Sequence, residues 1–583
     1  MSARFGTIIA ASLALASALV WAFFAHESLR QWDVMFNSDF AAVGLAYKYV
    51  LEKGLRPLFV WDLGYLGTLA EVSLGAVAFK LFGVNPIALN FAPFMYFGGG
   101  VAAFYLLLVR AAGRRAAAVG VAALALSGPD IYLACTRSWP NYPSTFLLGL
   151  LLWHLYVSWV RRPRILTVVA MGFCAGFGLY QMSLVIYFIV PIVAHVAIWH
   201  LGIIYRERGW PAVRQQFDGG RVINTLLAVN CAWALVTLVA RVQVITLGAY
   251  HIGWNPGSMF VATVVSLGVV AGFRYAPQAI SNREHRRAWL ACGVGAMIGY
   301  APAIAYRLMG GPTEYKHLAL RGTLVDFTRR FDIFLAAHES LWNLPHEQGA
   351  MRWLVIVVYA TGTAGLGAVA WRAISQWART GSSPQAALPG TLLVFLFLGI
   401  VPLFLFSNAV VDMGSTRYLY ALQFFYAAAI GVVGGTPRKI LPNVIVCTVL
   451  AGLAVNNTRA FQEYFATNRS RQKFQNLIRA LDQAQLTRGY ADYWYAYSIN
   501  FLTNERIILE PLYSAHIGAY RGRVARDSGN LAGVAYLVPA VNPLQTVTVT
   551  LDDRLYEVSQ GVPVPPDGLL YTLKGIATPQ SRR

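Results

Sequence analysis

ESLRQWDVMFNSDFAAVGLAYKYVLEKGLRPLFVWDLGYLGTLAEVSLGAVAFKLFGV, residues 27–84, is the stretch whose reading decides the fold. An apolar run at 5–25 precedes it, and the next clear apolar run, 87–109, follows it. Between them lie carboxylates, aromatics and two amphipathic helical patterns. Segment 64–84 has an apolar look but carries Glu71. A carboxylate inside a lipid-crossing helix is costly unless it faces water, a partner or a cavity. The segment is therefore expected to lie along the membrane surface rather than to cross it.

That choice sets the side of every later loop. Six basic clusters fall between the later apolar runs: Arg110, Arg114 and Arg115; Arg161, Arg162 and Arg164; Arg206, Arg208, Arg214 and Arg221; Arg274, Arg283, Arg286 and Arg287; Arg372 and Arg379; Arg438 and Lys439. If 64–84 does not cross, all six share one side, as the positive-inside rule asks of cytoplasmic loops. If it crosses, they fall outside. The non-crossing reading leaves four outer segments, 27–84, 130–142, 307–352 and 408–417, and sends the tail beyond Asn456 to the same outer side.

Hydrophobic residues make up 57% of the 583 and charged residues 13%. A soluble protein of this length has no use for so much apolar surface, so the chain reads as a polytopic membrane protein. Its net charge of +21 is spread over the short loops and forms no basic face, so no nucleic-acid partner is expected. The 5 cysteines are scattered and form no zinc pattern. Apolar runs at 5–25, 87–109, 116–129, 143–160, 166–180, 183–204, 222–240, 259–273, 288–306, 353–371, 388–407, 418–435 and 440–455 predict roughly thirteen spanning helices, the first kept as uncleaved. Composition then changes. Segment 470–486 predicts an amphipathic helix, and 506–509, 533–541, 545–551 and 569–573 predict short strands. The expected organisation is an all-α transmembrane domain, 1–457, and a small extracytosolic α/β domain, 458–583, large enough for its own core.

Asp39 stands in Asn37-Ser38-Asp39-Phe40 directly before a helical pattern. A carboxylate there suits a general base or a cation ligand, and Ser38-Asp39 equally suits a helix N-cap. Glu71 is the second candidate acid. Asp33 and Asp62 both read as ordinary loop acids, although Asp62, beside Trp61 and before Gly64-Tyr65, also suits a carbohydrate-stacking turn. Cations appear in outer segments where they should be scarce: Arg137, Arg417, and a loop holding Lys316, His317 and Arg321. Arginine binds phosphate through paired, directional hydrogen bonds, so a lipid phosphate at the outer surface would account for them. His154 and His195 sit within apolar runs and read as core residues.

No GxxxxGK[ST], no GxGxxG after a strand, no GxSxG and no HExxH occurs. A transferase built this way would take its donor from the membrane. A transporter or flippase of lipid-linked saccharides is the first alternative, but it would place ionisable groups at mid-membrane. A polysaccharide polymerase or ligase is the second, and would rely on large later loops with paired arginines.

The layout resembles the GT-C glycosyltransferases, within them the dolichyl-phosphate-mannose protein mannosyltransferases and the bacterial lipid A aminoarabinose transferase. The resemblance rests on Asn37-Ser38-Asp39, Gly67-Thr68-Leu69-Ala70-Glu71, Lys80-Leu81-Phe82-Gly83, Asn141-Tyr142-Pro143 and Ser415-Thr416-Arg417-Tyr418-Leu419. A weaker match follows in Tyr490-Ala491-Asp492-Tyr493-Trp494-Tyr495-Ala496-Tyr497 and Glu505-Arg506-Ile507-Ile508. It implies inverting transfer of one sugar from a polyprenyl-phosphate donor to a hydroxyl on a glycan, lipid or protein, at the outer face of a bacterial inner membrane. Asp39 matches the family's first-loop catalytic carboxylate. Family members often have a second acid beside it, and here that residue is Phe40. Metal binding by such a pair is thus not expected, a divalent cation (Mg or Mn) stays unassigned, and Glu71 is the candidate to replace the missing acid. The phosphate would fall to Arg137, Arg417 or the Lys316, His317 and Arg321 group. Sugar and acceptor contacts would fall to Trp61, Asp62, Tyr65, Trp139, Asn141 and Tyr142. Tyr490, Tyr493, Trp494 and Tyr497 in the tail suit either stacking on sugar rings or a local aromatic core.

Overall fold

The computed structural model describes residues 26–54, 58–60, 66–138, 141–196, 283–309, 324–344, 349–380, 388–407, 410–435, 440–467 and 470–512, most of 517–576, and a few short pieces elsewhere. Helix α1, Ser38–Lys53, begins where the Asn37 side chain accepts hydrogen bonds from the main-chain N–H groups of Asp39 (2.9 Å) and Phe40 (3.4 Å). The cap is therefore Asn37 rather than the Ser38-Asp39 pair. The Asp39 carboxylate, one turn in, is not spent on starting the helix. Gly54 ends it with φ of 62°, the left-handed turn that glycine adopts without strain.

Helix α2, Glu71–Phe82, has 12 residues. At ~1.5 Å per residue it is about 18 Å long, against about 30 Å of hydrocarbon. It does not cross. Its buried side, with Val72 and Phe79, packs on α1, while Val77, Leu81 and Phe82 are exposed. The condition under which the basic clusters share a side is met.

Helix α3, Phe91–Ala125, is two helices joined at Gly113, whose φ of 87° and ψ of 171° break it. A Cβ added to Gly120 would stand 2.6 Å from Leu108 Cδ1, so the halves fold back on each other about the turn carrying Arg110, Arg114 and Arg115. Helix α4, Pro129–Thr136, follows, then α5, Tyr142–Arg161, and α6, Ile165–Gln181. Helices α7 to α12 are Arg283–Leu308, Leu324–Leu341, Ala350–Thr380, Leu388–Phe406, Leu422–Gly434 and Ile440–Thr467. Among the described residues, 6 helices are long and apolar enough to cross a membrane, and Ile165–Gln181, Ser183–Val196 and Leu422–Gly434 are shorter apolar ones. The expected runs 222–240 and 259–273, and most of 5–25, lie outside the described residues. Glycines let α6 and α7 touch backbone to backbone: a Cβ on Gly176 would meet the Ala296 carbonyl oxygen at 2.1 Å, and one on Gly299 the Phe173 oxygen at 2.4 Å. Such small-residue seams are how helices pack where lipid removes the hydrophobic drive between them.

The tail holds α13, Arg471–Gln483, α14, Tyr493–Leu502, and strands β1 to β7: Arg488–Ala491, Ile508–Pro511, Ala535–Pro539, Thr548–Leu551, Arg554–Val558, Val562–Val564 and Gly568–Ile576. The sheet order is β2-β1-β3-β7-β5-β4, with β6 on β7. Strands β2, β1 and β3 run parallel and the rest antiparallel. Central strand β1 and helix α14 were not among the expected elements.

The sheet's residues alternate between two cores, as a strand's side chains must. Tyr536 and Val538 of β3 face a core of the tail's own. Ala535 and Leu537 face one shared with Phe36, Phe40, Leu45, Val72 and Phe79 of the first loop. The tail thus has a core of its own and shares a second with the first loop: α14 is apolar enough to need a second cover, and α1 supplies it. Phe36 meets the rings of Phe474 and Phe501 at 5.9 and 6.0 Å. A Cβ on Gly44 would come within 2.5 Å of Phe501 Cε2, so glycine there is what lets α14 lie against α1. Lys48, buried, donates to the Asn504 carbonyl (3.1 Å) and to Glu505 (2.7 Å), which also accepts from Tyr520 (2.7 Å) and Arg523 (3.2 Å).

Candidate active site

Capping by Asn37 leaves Asp39 in the first turn of α1, where the helix dipole favours a negative charge. The carboxylate is half-buried, and its Oδ1 accepts a hydrogen bond from the Tyr493 hydroxyl at 2.5 Å. Arg417 lies within electrostatic reach. It sits in a 3-10 turn, Met413–Leu419, with Tyr418 beneath its guanidinium (5.2 Å to the ring centre) and the Tyr418 hydroxyl at 3.3 Å. Burial works against its charge, but Tyr142, Tyr418 and Asp39 together hold its pKa above the ordinary arginine value. Tyr142, at the start of α5, approaches the Tyr420 ring at 6.4 Å. Asp39, Arg417 and Tyr142, expected on separate loops, are thus brought to one place.

Glu71 is elsewhere. It is 1% exposed and reaches Tyr47, whose hydroxyl donates to Oε1 at 3.4 Å. Tyr47 stands eight residues beyond Asp39 on α1, which puts it ~12 Å further along the helix. The main-chain N–H of Asn141 donates to Glu71 Oε2 at 3.0 Å. Burial lifts the Glu71 pKa to about 8, with the Asn141, Tyr47 and Ser138 hydrogen bonds opposing it. The expectation that Glu71 supplies a second carboxylate beside Asp39 is corrected: its oxygens hold the turn into α5.

Asn141 is corrected with it. Both amide hydrogens are used, on the carbonyls of Gly67 and Gln181 at 2.9 Å each, and the residue is 2% exposed, so its amide has no hydrogen left to donate to a sugar. Its φ of 62° explains the residue type, since asparagine tolerates the left-handed region better than other non-glycines.

Arg137 is likewise enclosed. It is 1% exposed, donates to the Gln31 carbonyl at 2.7 Å, and faces Asp33. Burial pushes its pKa down to about 9 while Asp33 pulls it up. Asp33, expected to be an ordinary loop acid, is 1% exposed; its carbonyl accepts from Ser470 N–H (3.1 Å) and its carboxylate lies 3.6 Å from Arg471. Arg137 is thus enclosed by the first loop beneath the tail, with its Nε and Nη1 left without a hydrogen-bond partner among the described residues.

Lys316, His317, Arg321, Trp61, Asp62, Tyr65 and Trp139 lie outside the described residues. His154 bonds the Ala103 carbonyl (2.7 Å) and Arg110 (3.1 Å), and His195 bonds Tyr156 (2.7 Å), in keeping with core roles. Of the tail aromatics, Tyr490 and Tyr497 are buried in cores, Trp494 is 51% exposed and Tyr493 is on Asp39. Among the described residues no three His, Cys, Asp or Glu side chains converge. Around Asp39 the neighbours are Phe40, a phenol and a guanidinium, a set that does not fit a divalent cation.

The architecture has a solved counterpart. ArnT from Cupriavidus metallidurans, bound to undecaprenyl phosphate, is similar over 98% of this chain and 98% of its own, with 13% identity and a TM-score of 0.50. The chain shares the fold of ArnT. AglB, the oligosaccharyltransferase of Archaeoglobus fulgidus in complex with an inhibitory peptide and a dolichol-phosphate, is a looser likeness: 14% identity, 92% of this chain, 70% of its own, TM-score 0.46. No family model and no curated protein sequence matches the chain. Among the described residues, Tyr47, Gln181 and Lys48 are supporting residues that the sequence pattern does not single out. Tyr47 alone carried a signal, being a polar tip on the otherwise apolar face of α1.

Proposed function

We propose that this chain is a membrane glycosyltransferase that moves one sugar from a polyprenyl-phosphate donor to a hydroxyl acceptor, with inversion, on the extracytosolic side. What supports the reading is one half-buried carboxylate, Asp39, held by the Tyr493 hydroxyl at 2.5 Å and within electrostatic reach of Arg417 at the end of an apolar helical bundle. Asp39 is the general base. As the acceptor oxygen attacks the anomeric carbon, the bond from that carbon to the phosphate oxygen breaks, polyprenyl phosphate leaves, and the acceptor proton passes to Asp39. Arg417 stabilises the charge gathering on the departing phosphate, a contribution of a few kcal/mol for a well-placed donor. Tyr142 borders the same space, and Lys316, His317 and Arg321 are further candidates for the phosphate. Undecaprenyl phosphate bound to ArnT, on the same fold, supports a polyprenyl carrier here. Glu71 and Asn141 position α5, and no metal step is invoked.

Asp39→Asn tests this. Surface glycans of cells carrying the variant, compared by mass spectrometry with those of wild type and of cells lacking the protein, are expected to match the latter while the protein level is unchanged. Wild-type glycans in the variant would refute the assignment.

A further inference from the structure

Tyr493 begins α14, in the tail, yet its hydroxyl donates to Asp39 Oδ1 at 2.5 Å across 454 residues of sequence. The two helix ends are stitched in both directions. Ser38 donates back to the Tyr493 carbonyl at 2.5 Å, and the Ser38 and Ser498 hydroxyls are 3.4 Å apart. The ring cannot wander: it meets Tyr497 edge-on at 5.5 Å and 88°, and Trp494 at 5.1 Å and 82°. Asp492 caps α14 by accepting from the Trp494 N–H at 2.9 Å. The close pass of Gly44 under Phe501 fixes how deeply α14 seats on α1.

From this geometry we infer that Tyr493 is a positioning residue for Asp39, so that the tail completes the active site rather than merely covering it. The inference rests on the reading of Asp39 as general base. The phenol O–H donates to the carboxylate, so its own proton is committed to that bond and it does not compete for the acceptor's proton. Holding one oxygen of a carboxylate fixes the plane of the group and aims the other oxygen. A base held this way skips the search among rotamers that a free aspartate would make, and small misplacements of a reacting group cost about 100-fold in rate.

The test uses the full chain in membranes, with a total lipid extract of the same cells as donor source, and follows release of polyprenyl phosphate. Tyr493→Phe removes the hydroxyl and keeps the ring. It is expected to lower kcat about 10- to 100-fold with the donor KM and the melting temperature unchanged. In an Asp39→Asn background the same change is expected to have no further effect, because the two act as one unit. Ser38→Ala, which removes the other stitch between the same helix ends, is the control for docking and is expected to change kcat by less than about threefold. An inactive Asp39→Asn with a wild-type kcat in Tyr493→Phe would overturn the inference and leave the proposed function standing. A Ser38→Ala that reproduces the Tyr493→Phe loss would also overturn it, since docking alone would then account for the effect. Full activity in Asp39→Asn would overturn both.

Discussion

The main-chain N–H of Asn141 donates to Glu71 Oε2 at 3.0 Å, joining the start of a surface helix to the left-handed residue that launches α5. Around this bond, Tyr47 bridges Glu71 and Ser138, and Ser138 N–H donates to Asn90 at 3.0 Å. Three segments that are far apart in sequence therefore share one buried acid. Because α5 begins at Tyr142, next to Arg417, the position of the candidate site depends on this junction.

A buried carboxyl raised from 4.5 to about 8 makes stability depend on pH. Between those values the folded chain holds a proton that the unfolded chain has released, so stability falls as pH rises. The contribution is complete below about 4.5 and gone above about 8. The melting temperature of the purified protein is therefore expected to decline across this window. Glu71→Gln, which keeps an acceptor for Asn141 and cannot ionise, is expected to flatten the decline. Parallel curves for wild type and variant would contradict this account.

Arg417 offers a sharper chemical prediction. Its charge lies within electrostatic reach of Asp39, and its ring partner Tyr418 fixes the plane of the guanidinium. Arg417→Ala is expected to lower kcat/KM about 100- to 1,000-fold, the usual cost of deleting one charge-stabilising donor. Arg417→Lys should recover only part, because an ammonium cannot reproduce a planar, two-pronged contact. Both are read as the rate of polyprenyl phosphate release at equal protein, and equal rates for Ala and Lys would argue against a phosphate contact.

Seating of the tail is tested away from the chemistry. Gly44→Val places two methyl groups where Phe501 Cε2 already lies 2.5 Å from a Cβ position. The ring must move, and α14 with it. Transfer is expected to fall at least about 10-fold, in line with the cost of displacing a reacting group. Lys48→Met breaks the other end of the same contact by taking from Glu505 its buried partner, leaving Tyr520 and Arg523 to hold the carboxylate. A lower melting temperature should accompany both.

The sequence showed the membrane class, the non-crossing character of 64–84 and most apolar helices, because each is written in runs of adjacent residues. Asp39 and Arg417 were legible as candidates for the same reason: a polar residue at the edge of an apolar run stands out. What could not be read was which of them meet. Glu71 looked like a partner for Asp39 because both are acids of one loop, yet eight residues of helix separate Asp39 from the phenol that Glu71 touches. Arg137 looked available because it lies in a loop, and the depth of that loop under the tail is a long-range property. Strand β1 escaped because Arg488-Gly489-Tyr490-Ala491 has neither alternation nor β-branched residues; its place in the sheet comes from being covered by β2 and β3 on both edges.

Arg137 gives the last test. Its guanidinium is buried between the Gln31 carbonyl and Asp33, and Asp33 in turn meets Ser470 and Arg471 at the head of the tail. If this chain of contacts is a strut, removing the cation takes a charged donor from the Gln31 carbonyl and one of two nearby cations from the buried Asp33 carboxylate, which keeps Arg471 at 3.6 Å. Arg137→Met keeps the apolar stem and is expected to lower the melting temperature by several degrees. Adding Asp33→Asn removes the buried charge and should restore much of the loss, since two partners deleted together cost less than one. Affinity for undecaprenyl phosphate, measured by native mass spectrometry, is expected to stay within about threefold of wild type in the double variant. A large loss of lipid affinity with normal stability would place Arg137 at the phosphate site.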